Sequence, residues 1–365
     1  MKITHITSAH PRYDTRIFVK ECKSLAKVDG YDVSLIVADG KSDERKDNVQ
    51  IYDVGRYHGR LKRMFLTTRS VYQKAIMLDS DIYHLHDPEL LSVGLKLKKL
   101  GKRVIFDAHE DTPVQILGKT YLNIYLRKIL SLLFSRFEKY AVSKFDAVVC
   151  ATPYIRDKFS LIVKSVDINN YPLLQEFKHD QNWKDKNSEI CYIGGISKDR
   201  GILEIVKSLE YVKECRLNLA GDFKEVSTEN IVRNYSGWEK VNELGYLSRE
   251  GVKDVLKRSK AGLVILRPLE NYKVALPVKM FEYMSANIPV IVSNFPLWKE
   301  IILSCDCGII VDPFDTKEIA KAINYILQNP DIAKEMGIRG REAVEKKYNW
   351  SIQEKKLYKL YRDLS

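Results

Sequence analysis

A chain of 365 residues has room for two domains of ordinary size. Its 45% hydrophobic and 30% charged residues are the balance of a folded globular protein, which excludes a disordered or fibrous one. A formal net charge of +12 asks for an anionic partner, but with no aromatic RNA-binding signature and no helix-turn-helix cue the chain is not read as a nucleic-acid binder.

The N-terminus runs from Met1 through Ile3 straight into Pro11, with no apolar core of a signal peptide. The longest apolar runs, such as Ile129 to Phe134, fall far short of the roughly 20 residues that span a bilayer. A cytosolic protein is expected, or one lying at the inner face of the cytoplasmic membrane.

Strand and helix patterns then alternate. Ile3 to Thr7 reads as a strand; Ile17, Phe18, Cys22, Leu25 and Ala26 make a helical apolar face; Val33 to Val37 is a short buried strand. The alternation returns with Ile82 to His86, Glu89 to Leu100, Val104 to Phe106, Tyr121 to Ser143 and Ala147 to Ala151. A second cycle begins near Ile190. Cys191 to Ile193 leads into a Gly-rich turn and the helix Ile202 to Leu209, then Leu217 to Ala220, Ser248 to Arg258, Gly262 to Leu266, Pro277 to Ala286, Val290 to Ser293 and Ile309 to Val311. Asp315 with Glu318, and Ser351 with Glu354, have capping-box spacing. Strands separated by helices imply right-handed crossovers and parallel sheets. The expectation is an α/β protein of two doubly wound, Rossmann-like domains, 1–170 and 171–350, with the helix 351–365 packing back on the first. A hinge is placed in Val166 to Lys186, and the ligand in the crevice at the strand C-termini.

Two basic segments stand out. Val54 to Leu78 contains no acid, but has Arg56, Arg60, Lys62, Arg63, Arg69 and Lys74. The helix Tyr121 to Ser143 carries Leu122, Leu126, Ile129, Leu133, Phe137 and Tyr140 near one face, flanked by Arg127, Lys128, Arg136 and Lys139. It is read either as a core helix with a solvated basic side or as a dock for an anionic membrane. The six cysteines (22, 150, 191, 215, 305, 307) have no zinc-type spacing and read as reduced thiols.

Pro277 to Ser293 is the most informative stretch. Pro277 suits the first turn of a helix, and Lys279 and Glu282, three apart, share a face. A helix N-terminus with a lysine can hold a diphosphate, and a glutamate one turn deeper can accept hydrogen bonds from a ribose diol. The same spacing also fits a surface ion pair.

In order, Tyr192 to Gly201, Leu219 to Asp222, Leu244-Gly245-Tyr246, Arg267-Pro268, Leu276 to Tyr283 and Pro289 to Ser293 resemble the C-terminal half of the retaining GT-B glycosyltransferases of family 4. Asp14 to Ile17, His84 to Asp87 and Asp107 to Glu110 are similar to the N-terminal half. The resemblance implies transfer of a sugar from a nucleoside diphosphate sugar, UDP favoured over GDP, to a glycan or polyprenyl-diphosphate-linked acceptor. The setting it implies is bacterial surface polysaccharide such as capsule or O-antigen, with no metal or other cofactor. It assigns Glu282 to the ribose, Arg200 and Lys279 to the diphosphate with Arg267 a weaker candidate, and Leu276 and Pro277 to the donor site. Gly195 stands where many members have Arg, Val274 stands where the family has a sugar-contacting glutamate, and Tyr246 falls near the base or in the core. His109, with Glu110 beside it, is assigned to the transferred sugar. His10, Asp14 and Arg16 fall on the sugar or acceptor side, Asp14 being equally a helix cap.

The rival readings are a sugar-nucleotide epimerase or hydrolase on the same scaffold, and a non-catalytic sugar-nucleotide binder, which Val274 keeps open. A third draws on His84, His86, Asp87, His109, Glu110 and Asp111 as a metal-dependent hydrolase centre.

Overall fold

The computed structural model describes residues 1–57, 59, 62–119, 122–177, 183 and 186–365. The chain divides into two compact units: Met1–Asn170 together with Ile352–Ser365, and Tyr171–Ser351. Each is built on its own sheet.

In the first unit the strands are β1 (Lys2–Ile6), β2 (Asp32–Val37), β3 (Glu44–Lys46), β4 (Val49–Asp53), β5 (Ile82–Leu85), β6 (Arg103–Ala108), β7 (Ala147–Cys150) and β8 (Ser165–Asp167). They lie in the order β3-β4-β2-β1-β5-β6-β7-β8, parallel except for β3, which runs antiparallel to β4. Central strands β5 and β7 are buried at every position, as a sheet covered on both faces requires. The order reverses at β1, so the loops after β1, β5 and β6 emerge beside the switch point where such sheets bind ligands.

The second unit holds β9 (Glu189–Ile193), β10 (Arg216–Ala220), β11 (Val241–Gly245), β12 (Ala261–Val264), β13 (Val290–Ser293) and β14 (Gly308–Val311), in the order β11-β10-β9-β12-β13-β14. All pairs are parallel. Its switch point falls between β9 and β12. Helix Val278–Ser285 packs against β12 because Gly262 leaves room: a Cβ there would lie 2.1 Å from Cδ2 of Tyr283. The Tyr283 hydroxyl in turn accepts the Ile193 N–H at 2.9 Å, fixing the end of β9.

Short polar strands escape the sequence reading. β3, β4, β8 and β11 are edge or near-edge strands with mixed burial, so they lack an apolar run. The long predicted helix is Ile124–Val142, capped by the Asn123 side chain on Tyr125 N–H. Of the two readings of this helix, the one that puts its apolar face in the core is corrected. Leu126, Ile129, Leu133, Phe137 and Tyr140 are exposed, and the buried side is Ser131, Glu138, Ala141 and Val142. Tyr121 and Arg60 lie outside the described residues, as do 178–182, 184 and 185 within the proposed hinge. Among the described residues no helix is long and apolar enough to cross a membrane.

Tyr283→Phe leaves the Ile193 N–H without its acceptor and is expected to cost about 1–3 kcal/mol. Urea unfolding of the purified variant would measure this loss of stability.

Candidate functional site

In the second unit β9 gives way to Gly194 at φ 126° and Gly195, followed by the turn Lys198–Arg200 and helix Ile202–Ser208. This loop is pinned to the one after β10: Gly194 N–H donates to Ala220 O, Ile196 N–H to Asp222 O and Lys224 N–H to Ile196 O, at 2.9, 3.0 and 2.9 Å. The two loops approach so closely that a Cβ on Gly221, itself at φ 134°, would sit 2.1 Å from Gly194 O.

Cationic side chains converge on this Gly-Gly corner. A Cβ on Gly194 would meet Lys279 Nζ at 3.4 Å and Arg200 NH1 at 3.8 Å. On Gly195 it would meet Lys224 Cε at 3.1 Å and Arg200 NH1 at 3.3 Å. Lys279 Nζ is buried 3.6 Å from the centre of the Tyr192 ring, and it has no hydrogen-bond partner among the described residues. Burial, reinforced by the Arg200 charge, pushes the Lys279 ammonium well below the usual lysine range. A desolvated lysine beside an arginine, over backbone that a glycine keeps open, has the chemistry to hold an anion.

Lys279 makes no ion pair with Glu282 among the described residues. Glu282 is buried and accepts from Arg249 NH2 at 2.8 Å through Oε1, while Arg249 Nε reaches Glu176 at 2.6 Å. The helix Val278–Ser285 starts after Pro277 at φ −68° with no side chain capping its first amides, and Leu276 is half-buried just before it. Arg267 is engaged by Glu204 at 2.5 Å. Tyr246, at 83% exposure, is not a core residue. Val274 is half-buried, and the neighbouring Ala275 carbonyl accepts Trp298 Nε1–H at 2.7 Å. Arg249 and Lys224 were not singled out in the sequence, because an isolated base after a strand or at a helix start carries no pattern of its own.

The first unit gathers its polar residues around Asp107 on β6. Arg16 donates to both Asp107 oxygens, Nε–Oδ2 2.8 Å and NH2–Oδ1 2.7 Å, and its NH1 reaches the Ile168 carbonyl at 2.7 Å. The expectation that Arg16 faces a sugar or acceptor is corrected by this burial: its guanidinium is spent on Asp107. Although burial opposes its charge, Asp107 is held well below the usual carboxylate range by Arg16 and His109. His109 Nε2 lies 3.0 Å from Asp107 Oδ2, which orients the ring and leaves Nδ1 for other partners. The His10 ring lies tilted at 52° to it, ring centres 5.1 Å apart, and contacts Asp87 at 3.1 Å. Burial opposes the charge on His10, but the Asp87 hydrogen bond wins and raises its pKa. Asp14 caps the helical segment Thr15–Cys22, accepting from Arg16 N–H and Ile17 N–H. Exposed Glu110 takes a hydrogen bond from Gln115.

The six-residue metal constellation is not assembled. Asp87 is bound by Thr7, Ser8 and His10, Asp111 caps Thr112–Leu117 and meets Lys158, and His84 points to Tyr361. His86, Asp107 and His109 do come together.

Both units have the architecture of a GT-B glycosyltransferase fold. Residues 16–161 match the family "Glycosyltransferase Family 4" and residues 175–343 match "Glycosyl transferases group 1". The chain carries these two glycosyltransferase domains and is a transferase-class enzyme. It is 23% identical to alpha-D-kanosaminyltransferase of Streptomyces kanamyceticus over 62% of this chain and 63% of that protein. The chain therefore spans a little under two thirds of that relative. It is 23% identical to the capsular polysaccharide biosynthesis glycosyltransferase CapM of Staphylococcus aureus over 90% and 89% of the two chains. The sucrose-phosphate synthase of Thermosynechococcus elongatus superposes with a TM-score of 0.80 at 18% identity, covering 100% and 98%. Anabaena HepE in complex with UDP-glucose superposes at 0.74 and 13% identity, covering 100% of both chains.

An anion bound beside Lys279 raises the pKa that burial has lowered, so binding takes up a proton and weakens as pH rises. Calorimetry of pyrophosphate binding in Tris and in HEPES is expected to show net proton uptake, which Lys279→Met should remove.

Proposed function

We propose that the chain transfers a sugar, with retention, from a nucleoside diphosphate sugar to a glycan or lipid-linked acceptor in bacterial surface polysaccharide synthesis. One observation carries the reading: the buried, partnerless ammonium of Lys279 lies beside Arg200 at the Gly194–Gly195 corner. UDP is the favoured nucleotide, supported by HepE, whose crystals hold UDP-glucose. CapM, similar over most of its length, supports the capsule setting.

In this reading Arg200 and Lys279 neutralise the departing diphosphate, which lowers the barrier by electrostatic preorganisation and asks for no metal. The Val278 end of its helix adds amide donors. Glu282, oriented by Arg249 through Oε1, offers its other oxygen to the ribose diol, and exposed Tyr246 is available to the base. His109, oriented by Asp107, is assigned to the transferred sugar, with Glu110 and His10 nearby in the same unit. The acceptor hydroxyl attacks from the leaving-group side and gives its proton to a phosphate oxygen of the donor. No enzymic nucleophile is invoked.

The exposed side of Ile124–Val142 suits a lipid-linked acceptor. Tyr125, Ile129, Leu133 and Tyr140 are 55–74% exposed, and Lys128, Arg136 and Lys139 lie beside them. An apolar stripe edged by bases binds anionic bilayers through area burial and charge together.

Glu282→Ala should remain folded and lose roughly 10- to 100-fold in transfer rate, the worth of a charge-assisted hydrogen bond to the diol; steady-state kinetics near the native values would sink the assignment. The protein should sediment with anionic liposomes at low salt and be released by high salt, and Leu133→Glu should abolish sedimentation.

A further inference from the structure

A second cluster of chemistry-bearing residues lies wholly inside the first unit and has no part in the proposed reaction. Parallel pairing of β1 with β5 sets His5 beside His84, and the alternation of a strand puts His86 on the same face as His84. Glu21 enters from the helical segment Thr15–Cys22, and Tyr361 from the C-terminal helix Trp350–Leu364. His5, Glu21, His84 and Tyr361 are 0% exposed and His86 is 1% exposed.

The inward-facing atoms crowd one point. His5 Nδ1 and His86 Nε2 share a hydrogen bond of 2.9 Å, so one of them carries a proton that a bound ion would have to displace, and Glu21 Oε2 lies 3.8 Å from the first and 3.9 Å from the second. One ligand atom from each of His5, Glu21, His84 and His86 falls within 4.8 Å of all the others. Three of the buried atoms here, His84 Nε2 and both Glu21 oxygens, have no hydrogen-bond partner among the described residues. Arg16 Nε is 3.3 Å from Glu21 Oε1 but donates to Asp107, whose carboxylate is a second charged neighbour of Glu21. Orphaned acceptors in a dry interior are costly, because they give up water without gaining a donor.

The outward-facing nitrogens are all engaged. His86 Nδ1 meets Asp107 Oδ2 at 3.2 Å, while His84 Nδ1 and His5 Nε2 meet the Tyr361 hydroxyl at 2.9 and 3.2 Å. If each of these nitrogens carries its ring proton, three imidazole lone pairs and one carboxylate face a common centre. An imidazole whose far N–H is held by a carboxylate or hydroxyl is the usual form of a metal ligand.

We propose that this cluster binds one divalent transition-metal ion of the zinc class, through His5 Nδ1, His84 Nε2, His86 Nε2 and one oxygen of Glu21. Three imidazoles and a carboxylate suit Zn²⁺ or Co²⁺ rather than Mg²⁺ or Ca²⁺, which prefer all-oxygen shells. Tetrahedral bonds of about 2.0–2.1 Å set ligand atoms roughly 3.4 Å apart, so the present spread closes with sub-ångström shifts. Binding displaces any proton on Glu21 to solvent. With four protein ligands and no exposed position the ion is structural. It ties β1, β5 and, through Tyr361, the C-terminal helix into one unit.

The test is elemental analysis of the intact chain expressed with added zinc and passed over a chelating resin, followed by cobalt loading of protein stripped with phenanthroline. Roughly one equivalent of zinc, a tetrahedral cobalt spectrum in the visible, and loss of both in Glu21→Gln and in His84→Gln are expected. Less than a tenth of an equivalent in the wild type with no cobalt spectrum overturns the proposal and leaves Glu21 as a neutral, protonated acid in a hydrogen-bonded core. Full zinc in both variants overturns it equally, since the ion must then sit elsewhere. The wild-type measurement stands even if a variant does not fold. Pyrophosphate binding in the same samples reports on the Lys279–Arg200 corner of the second unit, so failure here is separable from failure of the proposed function.

Discussion

A buried ammonium without an acceptor is an expensive thing for a protein to keep, and the second unit is arranged around one. Lys279 lies against the Tyr192 ring, and Tyr192 is itself tied by its hydroxyl to Gly195 O at 2.9 Å. The loops after β9 and β10 are zipped together beside it, and the absence of side chains at Gly194 and Gly221 is what allows the zip. Such an arrangement lowers stability by leaving a buried polar atom without a partner, which the proposed anion would supply. Preorganised charge of this kind needs no reorganisation when negative charge develops on a leaving group. The Glu282–Arg249–Glu176 chain next to it holds a carboxylate in place by the same logic, with the cation between two acids.

In the first unit the organising pair is Arg16 with Asp107. A bidentate ion pair this deep gains little net stability, but it fixes geometry, and removal of either partner strands a buried charge. Asp107 hands that order on to His109 and His86 through the same Oδ2. The residue that could meet a ligand is therefore His109, whereas Arg16 acts only through its neighbours. The histidines behind them form a dry polar column from Tyr361 to Asp107, an unusual use of core volume in a small α/β unit.

The net positive charge has more than one cause. Lys279 and Arg200 are the cations proposed to meet a small anion, and Lys279 Nζ is buried where surface bases are not. Arg69, Lys128, Arg136 and Lys139 are exposed, so salt screens their field within about 10 Å, whereas Arg63 pairs with Glu89 and Lys74 with Asp43. Composition alone could not separate these two uses, since it counts a buried cation and an exposed one alike.

Apolar runs made the central strands of both sheets legible, because a parallel strand buried on two faces must be apolar along its length, whereas the polar strands β3, β4, β8 and β11 gave no such run. Lys279 and Glu282 were legible as a pair by their spacing on a helix opened by Pro277. What spacing could not decide was which way each side chain turns. Lys279 goes inward to Tyr192, Glu282 to Arg249, Arg16 to Asp107, and the Ile124–Val142 stripe outward, and each choice depends on partners far away in sequence. His5, His84, His86 and Tyr361 likewise meet only because β1 and β5 pair side by side and the last helix returns to them. Local pattern and period determined the elements and the residue types at their ends. Tertiary structure decided burial and partners, because desolvation and ion pairing are properties of a three-dimensional neighbourhood and leave no period in the chain.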